Sequence, residues 1–410
     1  MNSSSLFYSI IAILIIQFLI DFLLDYLNAK RFKESIPNEL SDVFDKEEYN
    51  KSQAYKTTNY RFGILSDVFS LLITLGFLFF GGFEWLDAIV RGFTENPIIM
   101  ALFFFGILVF GNSIISLPFS LYQTFAIEEK FGFNKTTKKL FFIDILKGWL
   151  MTAILGGGIL ALVIWILQWS GPDFWLYAWG VFIILMLLMN LFYSKLIVPL
   201  FNKQTPLEAG NLKDAIEGYA KKVGFELKNV FVIDGSKRST KANAYFSGFG
   251  KQKRVTLFDT LINDLDEDEI VAVLAHEVGH YKRKHIIFNL IASILLTGLT
   301  LFVLSLFVNN PDLSLAIGVQ KPSFHAALIG FALLYSPISA ITGLAMNYLS
   351  RKFEFQADDY AKETFEAIPL ITSLKKLSKN SLSNLTPHPA YVFMHYSHPP
   401  LIERIRNLKA

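Results

Sequence analysis

The chain has 410 residues, 52% hydrophobic and 18% charged, with a formal net charge of +3 and a mean hydropathy of +0.40. So apolar a composition excludes an ordinary soluble domain, and the small net charge gives no footing for nucleic acid. Cys is absent, which excludes disulfides and thiolate metal sites, so any metal must be held by His and carboxylates.

A membrane span needs about 20 mostly apolar residues. In chain order the runs 6–24, 64–90, 98–121, 146–168, 174–198, 286–308 and 323–347 meet that length, which predicts seven transmembrane helices. The first run has no basic residues ahead of it and no small-residue cleavage site, and Asp21 and Asp25 follow it. It reads as an uncleaved span rather than a signal peptide. Lys and Arg collect in 26–62 and in the loop that holds Lys130, Lys135, Lys138, Lys139 and Lys147, whereas the alternate loops are nearly bare. By the positive-inside rule the N-terminus then lies outside, and 199–285 and 348–410 are cytoplasmic. Trp85, Trp169 and Trp175 stand at span ends on the opposite side, as interfacial anchors should.

Four segments follow. Residues 1–198 form a membrane domain of five spans with a cytoplasmic loop 26–62, and 199–285 form a cytoplasmic α/β catalytic insert. Residues 286–347 supply spans six and seven, and 348–410 a C-terminal cytoplasmic catalytic segment. Within the insert, NLKDAIEGYAKKVG predicts a surface helix. NVFVIDG, NAYFSGFG and RVTLFD predict short strands by their β-branched and aromatic content. LDEDEIVAVLAHEVGHYKRK then opens a helix, with Asp266 as N-cap and Glu269 three residues on.

That helix carries H-E-x-x-H. Residues four apart share a helix face, so His276 and His280 can offer two imidazoles to one Zn²⁺. Glu277 beside them is the natural general base, taking a proton from a zinc-bound water and passing it to the leaving amine. Gly279 between the ligands allows another element to approach closely. His285, five residues past His280, falls off the ligand face and reads as an interfacial histidine. Catalytic zinc usually takes three protein ligands, and no further His continues the motif. The best acidic candidates lie in LSRKFEFQADDYA. Glu354 and Asp358 are four apart, so one carboxylate can bind metal while the other holds a ligand imidazole. The alternative is a solvated helix face. Ser336, Ser339, Gly343 and Asn347 form a small, polar stripe on span seven, which Glu354 extends if the helix runs on past Pro337.

At this point the chain resembles the integral-membrane CAAX prenyl proteases of type 1. The resemblance rests on LPFSLYQTFAIEEKFGFNKTT, VPLFNKQTPLEAG, VIDGSKRSTKANAYFSGFG, RVTLFDTLI, HEVGH, RKFEFQADDYA and SHPPLIERI, and runs from about residue 30 to 408. It implies a mainly α, polytopic fold of seven helices around a large intramembrane chamber, with a small cytoplasmic α/β zinc-metalloprotease domain. It also implies one Zn²⁺ per chain on His276, His280 and Glu354, with Glu277 as catalytic base, and Asp358 then takes the imidazole-holding role. Asn243, Ala244, Tyr245 and Phe246 become the edge strand that binds an extended peptide, which read alone is an ordinary edge strand. His398 and Arg404 match family residues near the active site, where they would stabilise the oxyanion or hold a substrate carboxylate. Read alone, HPP before a basic helix is structural. Lys241 and Ala242 depart from the His-Ser common in the family, which touches substrate preference rather than hydrolysis.

The implied activity is a zinc endopeptidase acting near the C-terminus of prenylated or membrane-associated proteins, its partners being peptide or protein substrates and the bilayer. An HtpX-like membrane quality-control protease shares the chemistry with fewer spans. A non-enzymatic transporter or channel would leave Glu277 and the zinc set without purpose. A site-2-type intramembrane protease would need an L-D-G ligand motif that is lacking here, and a dead scaffold would have lost one of the four site residues. The absent cysteines and compact loops lean toward a bacterial inner membrane, with the endoplasmic reticulum as runner-up.

Overall fold

The computed structural model describes residues 2–227, 229–247 and 254–410. Its principal helices are α1 (Ser3–Lys30), α2 (Lys46–Phe79), α3 (Gly82–Phe93), α4 (Pro97–Tyr122), α5 (Lys138–Met151), α6 (Gly157–Ser170), α7 (Phe174–Phe192) and α8 (Asn211–Lys222). After the sheet follow α9 (Glu267–Lys282), α10 (His285–Phe307), α11 (Phe324–Thr364), α12 (Ala367–Asn380), α13 (Pro389–His395) and α14 (Leu401–Lys409). The strands are β1 (Gln204–Pro206), β2 (Asn229–Ile233), β3 (Ala244–Ser247) and β4 (Arg254–Phe258).

Six helical stretches among the described residues are long and apolar enough to cross a membrane, not the seven expected. The difference lies in Lys138–Phe201, one helical stretch of 64 residues that contains both run 146–168 and run 174–198. Gly171, at φ +58°, begins a one-turn 3₁₀ segment between them, and α6 and α7 pack against each other across it. No apolar window has more than 17% of its residues buried, so most of each span's surface faces away from the protein. Water would not tolerate that much apolar area. The chain is an integral, multi-pass membrane protein.

Two other boundaries moved. The expected loop 26–62 is largely helix, because α2 begins at Lys46 behind a capping box in which Glu48 N–H donates to Asp45 Oδ1 (2.8 Å). Run 64–90 breaks at Gly81, whose left-handed φ of +68° ends the second span and starts α3. In contrast α11 does run on past Pro337, for 41 unbroken residues, which carries Glu354 and Asp358 well beyond its apolar part.

The sheet has the order β1-β2-β4-β3, with β2 and β4 parallel and both outer pairs antiparallel. The three predicted strands are present, although the GFG end of NAYFSGFG lies outside the described residues. β1 was not expected, since Pro206 and polar neighbours give no strand pattern, and it sits on the edge where Pro is tolerated. Ile216 and Tyr219 of α8, Val255 and Leu257 of β4, and Ile270, Leu274 and Val278 of α9 close one apolar core. Leu370 of α12 and Leu408 of α14 join it, so the C-terminal segment packs onto the HEVGH helix. Each fully buried aliphatic side chain contributes roughly 1.5–3 kcal/mol to holding that helix in place.

Candidate metal centre

α9 starts where the sequence says, with Asp266 N–H donating to Glu269 Oε2 (2.9 Å). Lys376 of α12 donates to both Asp266 Oδ2 (2.9 Å) and Glu269 Oε2 (2.8 Å), which ties the helix start to the C-terminal segment. The apolar face of α9 is buried in the core, so the face with His276 and His280 turns toward α11. Gly279 permits that approach. A Cβ there would meet the Cα and carbonyl oxygen of Ala357 at 3.1 Å.

The result is a convergent donor set. His276 Nε2 and His280 Nε2 are 3.1 Å apart. Glu354 Oε2 lies 3.4 Å from the first and Glu354 Oε1 3.3 Å from the second. One ligand atom from each of the three residues lies within 4.8 Å of the others. Glu354 is 6% exposed, yet its Oε2 has no hydrogen-bond partner among the described residues. A buried carboxylate whose Oε2 makes no hydrogen bond among the described residues, and whose two oxygens each lie against an imidazole nitrogen, is what a bound cation would satisfy. Two His and one carboxylate are also the donor set of many catalytic zinc sites. The residues fit a zinc ion.

Behind the ligands stand three supporting groups. Asp358 is fully buried, and its Oδ1 accepts from His276 Nδ1 (2.8 Å). Arg404 of α14 donates from Nε to Asp358 Oδ2 (2.8 Å) and from Nη2 to Oδ1 (2.5 Å), with Nη1 3.6 Å from Glu354 Oε2. Burial works against the Arg404 guanidinium, but the Asp358 carboxylate outweighs it and holds its pKa above the ordinary value. Arg404 thus pairs chiefly with Asp358, with Glu354 as its second, longer contact.

His285 is the third supporting group and corrects its expected role. It is buried, its Nδ1 lies 3.1 Å from His280 Nδ1, and its ring stacks on Phe353 at 4.2 Å. His398 differs from Arg404. Its side chain is 67% exposed, with Nε2 3.4 Å from Glu354 Oε1 and Nδ1 3.0 Å from Ser397 Oγ, so it lies at the mouth of the centre. Glu277 lies on the same helix. Burial pushes its carboxyl above the usual range, while the adjacent His276 and His280 pull it partly back.

Of the expected peptide-binding residues, Asn243 O accepts from Phe258 N–H (3.0 Å), which fixes the register on β4. Backbone direction alternates along a strand, so Ala244 and Phe246 turn their N–H and C=O groups to the free edge. Asn243 Oδ1 accepts from Ala244 N–H (2.8 Å). The Phe246 ring packs on Phe225 and Tyr281. Tyr245 Oη accepts from Gln204 Nε2 (3.4 Å). Lys241, just before the strand, donates to Glu128 Oε2 (2.9 Å) and Tyr55 Oη (3.1 Å) and sits over the Phe133 ring at 4.4 Å. The unusual residue is therefore an anchor between the insert and the α2–α4 region.

Family models match almost the whole chain. One, described as CAAX prenyl protease N-terminal, five membrane helices, matches residues 25–203, and one for peptidase family M48 matches residues 206–410. A CAAX prenyl protease 1 homolog of Arabidopsis thaliana is 38% identical over 97% of this chain and 96% of its own. CAAX prenyl protease 1 of Saccharomyces cerevisiae is 37% identical over 96% and 93%, and the Homo sapiens homolog 34% over 91% and 88%. The crystal structure of S. mikatae Ste24p superposes with a TM-score of 0.93 at 35% identity, covering 99% of both chains. These relatives are eukaryotic, and the bacterial inner membrane expected from the sequence draws no support from them.

Proposed function

The chain belongs to peptidase family M48 as a metalloendopeptidase similar to CAAX prenyl protease 1, and from that premise we propose that it cuts near the C-terminus of prenylated or membrane-associated proteins. The observation that carries this reading is the convergent His276–His280–Glu354 set, with the two histidines on α9 and Glu354 on α11, the helix that runs on from a candidate span. We read the chain as crossing the membrane seven times, with α6 and α7 as separate crossings, the metal centre on the cytoplasmic face and a chamber among the helices. The basic residues of 26–62 and 130–147 favour that orientation.

In this reading His276, His280 and Glu354 would hold one zinc ion, which when bound would supply Lewis-acid activation of water and of the scissile carbonyl. The chain's own residues do the rest. The Glu277 carboxylate takes the proton from the attacking water and delivers it to the leaving amine nitrogen. Its raised affinity for protons suits it to hold that proton between the two steps. Asp358 keeps the proton of His276 on Nδ1, and Arg404 holds Asp358 in place, so Arg404 acts through positioning. The outer edge of β3 aligns an extended peptide through the Ala244 carbonyl and the Phe246 backbone, the Ala244 N–H being held by Asn243 Oδ1, which leaves side-chain selectivity loose. His398 at the mouth donates to the developing oxyanion. A lipid-modified substrate is cut in water while its apolar part stays among the spans.

Hydrolysis of a farnesylated and an unfarnesylated C-a-a-X peptide by the detergent-purified full chain tests the substrate class. Preferential cutting of the farnesylated peptide is expected. Equal cutting of both would move the activity to general membrane proteolysis.

A further inference from the structure

The stretch Lys138–Phe201 ends where the sheet begins, and a cavity of about 620 Å³ lies at that junction. Among the described residues five cations line it, Lys147, Lys195, Lys203, Lys237 and Arg254, and no carboxylate does. The acidic side chains nearest in sequence have hydrogen-bond partners of their own, and among the described residues neither forms an ion pair with a cation of the lining. Asp234 Oδ1 accepts from Asn202 Nδ2 (3.0 Å) and the Lys203 N–H (2.8 Å), and Asp144 pairs with Arg238 at 2.8 Å. Lys147 Nζ donates to the Leu200 carbonyl (2.7 Å), a neutral partner that leaves its charge uncompensated. Arg254 stacks on the Phe231 ring, and its Nε is buried without a hydrogen-bond partner among the described residues. Lys147, Lys203, Lys237 and Arg254 gathered around one cavity repel one another unless an anion joins them.

We propose that this cavity binds the phosphate of an anionic phospholipid. Its position argues for lipid over soluble phosphate. The cations stand at the end of an apolar stretch, the depth at which headgroups lie, and basic pockets between spans take such headgroups. The neighbouring Leu146, Leu150, Leu196 and Leu200 are largely exposed and would lie along the acyl chains. The site shares no lining residue with the metal centre, so it stands whatever that centre cuts.

The test is binding of phosphatidylglycerol and of phosphatidylcholine to the detergent-solubilised full chain, followed by native mass spectrometry. It compares wild type, Lys203→Gln with Lys237→Gln, and a control, Lys213→Gln with Lys221→Gln on α8. Each cation near a headgroup is worth about fivefold in affinity, so the first pair is expected to lose about 30-fold for phosphatidylglycerol. The control pair loses nothing, and inorganic phosphate does not displace the lipid. A single Lys203→Gln, expected to lose about fivefold, serves if the double variant shifts the melting temperature. Equal binding of the two lipids by wild type, or equal loss in both variant pairs, would overturn the proposal. Displacement by inorganic phosphate would overturn the lipid as the source of the anion.

Discussion

His285 Nδ1 lies 3.1 Å from His280 Nδ1, and its Nε2 lies 2.8 Å from Gln356 Oε1. The amide oxygen can only accept, so His285 carries its proton on Nε2 and accepts at Nδ1. His280 then donates from Nδ1, which leaves its Nε2 lone pair free for metal. Asp358 does the same for His276 from the other side. Both ligand imidazoles thus have their tautomer fixed from behind.

His285→Ala is therefore expected to weaken zinc binding by about 10–100-fold, the usual cost of losing such a partner. A competition titration against a zinc chelator measures it. Affinity unchanged from wild type would remove His285 from the centre.

Asp358 and Arg404 form a buried pair at 0% and 11% side-chain exposure. Asp358→Ala leaves the guanidinium only its longer contact with Glu354 Oε2 (3.6 Å) and is expected to destabilise by roughly 3–5 kcal/mol. Asp358→Ala with Arg404→Met is expected to cost less than the single change, because it removes that charge as well. Thermal unfolding in detergent separates the two. A double variant less stable than Asp358→Ala would contradict the pairing.

Helix spacing sets the ligand distance. Gly279→Val places a branched side chain where even a Cβ would sit 3.1 Å from the α11 backbone at Ala357. Overpacking of this kind costs about 1–3 kcal/mol. Here it also moves Glu354 away from the histidines, so zinc content is expected to fall more than the melting temperature alone accounts for. Full zinc occupancy in this variant would show that the centre tolerates the shift.

With Glu277 as the proposed base, the acid limb of kcat/KM is expected to report its carboxyl. Burial raises its pKa above the ordinary 4.5, and the ionised form is the base, so activity is lost as pH falls through the raised value. An acid limb left unchanged in Glu277→Gln would contradict this assignment.

Much of the centre was legible because a helix makes spacing into geometry. His276 and His280 share a face, and so do Glu354 and Asp358, and α11 continues past Pro337 to bring them together. His285 was not legible, and the reason is local. An offset of five lies off the ligand face only if the helix is continuous, but Lys284 adopts φ +62° between α9 and α10. That left-handed residue swings His285 back against His280. Arg404 was found by resemblance, yet its partner was not, since nothing in the sequence pairs residue 404 with residue 358. The span count differed because Gly171 turns the chain without breaking the helical stretch by length.

The central claim is that His276, His280 and Glu354 hold one zinc while Glu277 moves the proton. Zinc content and peptide hydrolysis of Glu277→Gln, side by side with wild type, test it most directly. The account predicts about one zinc per chain in both proteins and hydrolysis slowed about 10²–10⁴-fold in the variant, the usual worth of a general base. A zinc-loaded Glu277→Gln that cuts at the wild-type rate, or an active wild type without zinc, would contradict it.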